Sequence, residues 1–93
     1  MQHTRRKTDT LTRVVAANVK AEAARSGLRY PAIAPHLDLE VGQIGRKMRG
    51  EVKFTIDELG ILAVLFGHVD ADGNPDPTVF FQATPAATLH AVA

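Results

Sequence analysis

The chain has no cysteine and no tryptophan, and only five aromatic side chains, Tyr30 and four phenylalanines, among its 93 residues. Without cysteine there is neither a disulfide framework nor a thiolate metal site, which excludes the small secreted scaffold and the cysteine-based zinc module. With so few aromatics the core must be built from Leu, Ile, Val and Ala, and such a core confers modest stability suited to a reducing compartment or a partner chain. Long apolar runs are missing as well. The longest, residues 61–66, has six residues, against roughly 20 needed to span a bilayer, and no apolar segment of signal-peptide type follows the charges near the amino terminus. A soluble cytoplasmic protein with no membrane partner is expected. An apolar content of 45% and a charged content of 23% are ordinary for a globular chain, and the length suits one domain.

Positive charge is absent from the whole of residues 54–93, a fact hidden by a formal net charge of +1. Residues 1–53 hold all eleven Lys and Arg against five acidic residues, net +6, and residues 54–93 hold no basic and five acidic residues, net −5. A basic half releases counterions from a polyanion while an acidic half restricts its approach, so the asymmetry orients an encounter as well as driving it. Asymmetry of this kind serves a protein partner equally.

What is present is a pattern of short helices. In residues 40–50, Ile44 and Met48 stand four apart and face inward, which sends Gln43, Arg46, Lys47 and Arg49 to an outer, basic, hydrogen-bonding face. Residues 30–37 precede this stretch as a second short helix, with Ile33, Ala34 and Leu37 as its buried edge. Asp38, which tolerates the left-handed conformation, marks the corner between them. That is the layout of a helix-turn-helix, whose second helix enters the DNA major groove. Pro31 suits the first turn of its helix, whereas Pro35 cannot donate to the carbonyl of residue 31 and should kink or shorten it.

Upstream, a helix is predicted from about Thr10, capped by Asp9 or Thr10, to Ser26. Leu11, Val15, Val19 and Ala23 form its stripe, Gly27 closes it, and Leu28 folds back. Downstream, Thr55 and Glu58 form a capping box flanked by a Phe54–Leu59 staple, starting a helix that stops at Gly67 and supplies Ile56, Leu59, Leu62, Ala63, Leu65 and Phe66 to the core. Residues 70–77 read as a loop, and Asp76 and Pro77 start one further helical turn. Of the adjacent Phe80 and Phe81, one closes the core and the other is exposed, covered by the tail or buried against a second copy. The ends are expected to be flexible: residues 1–9 form a basic arm, residues 10–82 the domain, and residues 83–93 a mobile tail.

These residues together resemble the phage-repressor and Cro-like helix-turn-helix domains, in their actinobacterial and actinobacteriophage versions. The resemblance runs from about Val15 to Val69 without a gap. It rests on Val15, Ala16, Ala17, Asn18 and Val19; Ser26, Gly27 and Leu28; Ile33, Ala34 and Leu37; Ile44; Arg46, Lys47, Met48, Arg49 and Gly50; and Phe54, Thr55, Ile56, Asp57, Glu58 and Leu59. It implies an all-α domain of five helices, lambda-repressor-like, acting in a bacterial cell as a transcriptional repressor bound to operator DNA. Against the family's pattern, Arg29 stands where a polar cap is common, Tyr30 where glutamine is, Asp38 where the turn has glycine, and Glu40 where the third helix has a serine or threonine cap. Glutamate is a poor cap, and Gly42 and Gly45 each cost about 1 kcal/mol in a helix interior. The reading helix is therefore expected to be firm only when bound to DNA or braced by the core. Either the two glycines permit close helix packing or they leave room where the helix backbone meets DNA.

Carried over by position, the resemblance puts base reading on Val41, Gly42, Gln43 and Arg46. Arg46 has the planar fork for guanine O6 and N7, Gln43 matches adenine N6 and N7, and Val41 matches a thymine methyl. Arg29, Tyr30, Lys47, Arg49 and Lys53 are the phosphate candidates. Arg5, Arg6 and Lys7 form an arm for the minor groove or the phosphate backbone, or else a solubilising tail. A single reading helix covers few base pairs, so a homodimer on DNA is expected, with Phe80, Phe81 and the tail as its interface. No catalytic constellation, cofactor motif or metal site is legible. His3, His36, His68 and His90 lack ligand spacing, and the adjacent carboxylates Asp57 and Glu58 are explained by the capping box. The rival class is an antitoxin-like protein-interaction module that keeps the same fold.

Overall fold

Residues 2–26 contain neither proline nor glycine, and they form one helix, α1 (Gln2–Ser26). The computed structural model describes residues 2–82, with side chains from Thr10 onward. The helix thus starts eight residues before the Thr10 expected from the capping signal at Asp9 and Thr10. A cap residue stops a helix only where the preceding residues disfavour it, and residues 2–9 contain neither glycine nor proline.

Val15, Ala16, Val19 and Ala23 bury the inner stripe of α1. Leu11, which continues the same four-residue repeat, is exposed, because it lies at the edge of the region covered by the rest of the chain. Gly27 then takes a positive φ of 72°. Its N–H donates to the Ala24 carbonyl at 3.1 Å and that of Leu28 to the Ala23 carbonyl at 3.0 Å, the paired bonds that satisfy a helix end while turning the next apolar side chain back onto the core.

Helix α2 (Tyr30–Ile33) tightens into a 3-10 turn, Ala34–Leu37. The cause is Pro35, which has no N–H to offer and crowds the preceding turn of a regular helix. Asp38 reverses the chain with φ 56°, ψ 43°. It uses the same pair of bonds as Gly27, from Asp38 N–H to the Pro35 carbonyl and from Leu39 N–H to that of Ala34, here with a side chain in a conformation that glycine adopts at lower cost.

Helix α3 (Val41–Met48) follows, with Ile44 and Met48 buried. Helix α4 (Ile56–Leu65) opens with the expected reciprocal cap, Glu58 N–H donating to Thr55 Oγ1 at 3.0 Å and Thr55 N–H to Glu58 Oε1 at 2.8 Å. Leu59, Leu62, Ala63 and Phe66 enter the core, and Leu65 is partly buried against it. Ile56, expected in that core, is instead 86% exposed. The first residue after the cap precedes the first complete turn, and here the inward face begins at Leu59.

Past α4, Val69 and Pro75 form an isolated antiparallel bridge around a turn tied by Asp70, whose carboxylate accepts from the N–H groups of Asp72 and Asn74 at 2.9 Å. Asp76 caps a terminal 3-10 turn, Pro77–Phe81. Phe80 is fully buried and meets Phe66 edge to face at 6.2 Å, whereas Phe81 is about half exposed. The buried Asn18 on α1 donates to the carbonyls of Phe80 and Gln82 at 2.9 and 2.7 Å, fastening this last turn to the first helix. The architecture is all-α, with no strand among the described residues.

Two charged groups belong to the packing. Glu22 on α1, 4% exposed, accepts from Arg25 at 2.7 and 2.9 Å and pairs with His68 Nε2 at 2.6 Å. Arg25 also donates to the Phe66 carbonyl at 3.1 Å, so the cluster ties α1 to the end of α4. Burial pushes the Glu22 carboxyl up, but the Arg25 and His68 hydrogen bonds and the neighbouring positive charge outweigh it and leave the group below its ordinary value. The second group is Lys47, which bears on the site.

Candidate nucleic-acid interface

The outer edge of α3 is set by the helical period. At about 100° per residue, Arg46 lies opposite the Ile44–Met48 spine, with Gly42, Gln43 and Arg49 on its two sides; all four are exposed. Arg46 keeps 60% of its side chain accessible, and its ion pair with Glu51 is long, 3.8 Å from Nε. Arg49 is held closely, its Nε donating to Glu51 Oε2 at 2.6 Å. That bond holds the Glu51 carboxyl below its ordinary value and raises the Arg49 guanidinium.

Gln43 has a second occupation. Glu40 stands at the N-cap with extended backbone, and the two residues form a capping box in which Gln43 Oε1 accepts from the Glu40 N–H at 2.8 Å. The poor cap expected from Glu40 is thereby compensated by the residue three positions on, and α3 is closed at its start without DNA. The amide oxygen of Gln43 is engaged, while its amide nitrogen carries no bond to the described residues.

Lys47 is a correction. Expected on the outer face as a phosphate contact, it is buried at 8% exposure. Its Nζ donates to Glu58 Oε1 at 2.7 Å and to the Lys53 carbonyl at 3.2 Å, and stands 5.8 Å from the centre of the Phe54 ring. Position 47 flanks the Ile44–Met48 spine, and its aliphatic stem can follow the apolar surface while the ammonium reaches a carboxylate. Lys47 bolts α3 to the capping box of α4 and is largely withdrawn from solvent.

Val41, half exposed, lies to one side of the Arg46 edge. It opens onto an apolar groove of about 450 Å³ shared with Ala23, Leu28, Tyr30 and Pro31 and flanked by Lys20 and Arg29. Arg29 is exposed at the start of α2, where its extended backbone carries no side-chain cap, and Lys53 is exposed in the loop before α4. Tyr30 packs partly on the core. The side chains of Arg5, Arg6 and Lys7 and the tail of residues 83–93 lie outside the described residues; the backbone of the former is helical.

Gly42 and Gly45 separate in kind. A Cβ on Gly42 would meet nothing within 4 Å, whereas one on the buried Gly45 would stand 3.3 Å from the Arg49 guanidinium. That guanidinium is nevertheless the far end of an exposed arginine side chain that can shift, so close packing within the chain requires glycine at neither position. Of the proposed dimer contacts, Phe80 is withdrawn into the core; Phe81 remains at the surface, lining a second apolar groove with Leu11, Phe54 and Ile56.

The roles of Glu22 and Asn18 were not anticipated. The Arg25 contact of Glu22 is local, three residues on, but His68 for Glu22 and the Phe80 carbonyl for Asn18 lie 46 and 62 residues away in sequence, beyond the reach of any local pattern. Among the described residues no group of three potential metal ligands occurs and no helix is long and apolar enough to cross a membrane. Comparison of the chain with protein-family models, curated proteins and solved structures returned no match.

Proposed function

We propose that this chain is a sequence-specific double-stranded DNA-binding regulator of the phage repressor and Cro type, with α2, the Asp38 corner and α3 as a helix-turn-helix that occupies an operator and blocks transcription. The observation that carries the reading is the outer edge of α3: Gln43 and Arg46 are exposed on the side opposite Ile44 and Met48, in the half of the chain that holds every basic residue. Such an edge presents hydrogen-bond donors on a rigid rod whose width suits the major groove. Arg29, Arg49 and Lys53 remain as phosphate contacts, and Lys47 leaves that set. A bacterial cytoplasmic setting and a homodimer on two half-sites go with the reading, Phe81 being the remaining described interface residue.

A salt titration on a selected duplex tests it. The logarithm of affinity should fall with the logarithm of salt by about 0.9 per phosphate neutralised. Arg46→Ala should cost roughly 1–3 kcal/mol on the preferred duplex and flatten sequence preference at one position. Binding that ignores both salt and sequence defeats the proposal. One observation favours the rival, an interaction module such as an antitoxin: the apolar groove beside Val41 and Tyr30 is of a kind that protein partners fill. Protection of Val41 and Leu28 by a co-purifying protein, with no duplex bound, would decide for it.

A further inference from the structure

We infer that the apolar groove shared by α1 and the first turns of α2 and α3 is the docking site of a regulatory protein segment that carries apolar and acidic side chains, and that this segment and the duplex exclude one another. The inference rests on the DNA-binding reading above and adds to it a means of release.

The groove, about 450 Å³ in volume, is open to solvent rather than enclosed. Its hollow comes from two short side chains on α1, Ala23 and Ala24, and Leu28, Tyr30, Pro31 and Val41 supply the rest of an apolar lining. Only two of the lining residues are charged, Lys20 and Arg29, and both are exposed cations. A DNA phosphate makes use of such cations but gains nothing from the hydrocarbon between them, because an anion pressed against an apolar surface loses hydration without recompense. A ligand matched to the whole groove sets apolar side chains on the floor and carboxylates beside the rim. A small molecule binds tightly where most of its surface is enclosed. An open apolar channel with a charged rim is instead the form of site in which an amphipathic segment of a protein lies.

Two of the same residues belong to the proposed DNA surface. Arg29 is a phosphate contact in that reading, and Val41, 46% exposed at the first position of α3, is a candidate for base reading. A segment seated in the groove covers both, so it and the duplex compete, and each weakens the binding of the other by the same factor.

Tyr30 is the only tyrosine of a chain that has no tryptophan, so tyrosine emission reports on this groove alone. The experiment measures how far Tyr30 in the full chain is protected from acrylamide quenching by a synthetic peptide of about 14 residues, with leucine at every third or fourth position and glutamate between. The expected result is protection that weakens with added salt, is lost when lysine replaces glutamate in the peptide, and is reversed by the selected duplex. Two substitutions at exposed positions of α1 locate the contact. Ala24→Leu fills the hollow and should abolish protection with the thermal midpoint retained, and Lys20→Glu should weaken it severalfold through the reversed rim charge. The comparison of the two peptides on the unaltered chain stands even if a variant fails to fold. Absence of protection, equal protection by the lysine peptide, protection that Ala24→Leu leaves intact, or a complex holding peptide and duplex together overturns the inference. Protection by decanoate and not by the peptide also overturns it, by making the groove a small-molecule site. If the chain enriches no duplex from a random pool while the glutamate peptide still shields Tyr30, the DNA-binding reading falls and the groove stands as a protein-docking site.

Discussion

Helices α3 and α4 begin in the same way and use the result differently. Each opens with a capping box: Glu40 with Gln43 on α3, Thr55 with Glu58 on α4. In α4 the third residue of the box turns inward, where Glu58 Oε1 accepts both the Thr55 N–H and the Lys47 ammonium, and the side chains of that pair are 10% and 13% exposed. In α3 the third residue, Gln43, remains at the surface with its amide nitrogen free of the described residues. One motif has been absorbed into the packing and the other left available to a ligand. The difference follows from what lies beside each box: Phe54 and Lys47 cover the first, and solvent faces the second.

The largest effect should come from breaking the buried box. Lys47→Ala leaves the Glu58 carboxylate with its cap bond but no countercharge, and removal of one partner of a buried pair typically costs about 3–5 kcal/mol. Urea denaturation should show a loss near the lower figure, because the pair keeps some solvent access. Removing both charges, as Lys47→Met with Glu58→Gln, should recover much of it. If Lys47→Ala were neutral for folding yet weakened duplex binding, Lys47 would have to return to the phosphate contacts.

A second buried carboxylate sharpens the comparison through pH. Glu22 is held below its ordinary value of 4.5 by Arg25 and His68 against the penalty of burial. The unfolded chain therefore binds more protons than the folded one between the two values, so stability rises with pH across that window. The contribution of Glu22 is complete above about 4.5 and disappears as pH falls through its lowered native value. Glu22→Gln should flatten this acid limb and cost about 1.5–3 kcal/mol at neutral pH, the usual range for hydrogen bonds to a charged group. An acid limb unchanged by the substitution would show that other carboxylates dominate the window.

The parts of this molecule legible in its sequence are those decided within a few residues. Pro35 denies a donor and the helix tightens, Asp38 accepts the left-handed corner, and Thr55 and Glu58 close on each other. The spine of α3 follows from Ile44 and Met48 alone. What was not legible depends on how far each covering element extends. Leu11 and Ile56 match the helical period and are nevertheless exposed, while Lys47 fits an outer face by chemistry and is buried. Periodicity assigns an angle around the helix axis, and burial depends also on what stands at that angle. The Gln43 cap was within reach, since it lies three residues from Glu40, but it is hidden by the rarity of glutamate as an N-cap.

The smallest effect separates folding from recognition most cleanly. A Cβ on Gly42 would meet no atom within 4 Å, so nothing in the fold requires glycine at this position. Gly42→Ala should stabilise the chain, by up to about 1 kcal/mol, through the lower entropy of its unfolded state and a better helix propensity. If glycine is there because α3 lies close against the groove at that turn, the same methyl group should weaken duplex binding severalfold while the melting temperature rises. Opposite movements of the two quantities would place the amino-terminal turn of α3 against the bases. A gain in stability with affinity unchanged would shift the contact toward Arg46 and leave Gly42 without a role in recognition.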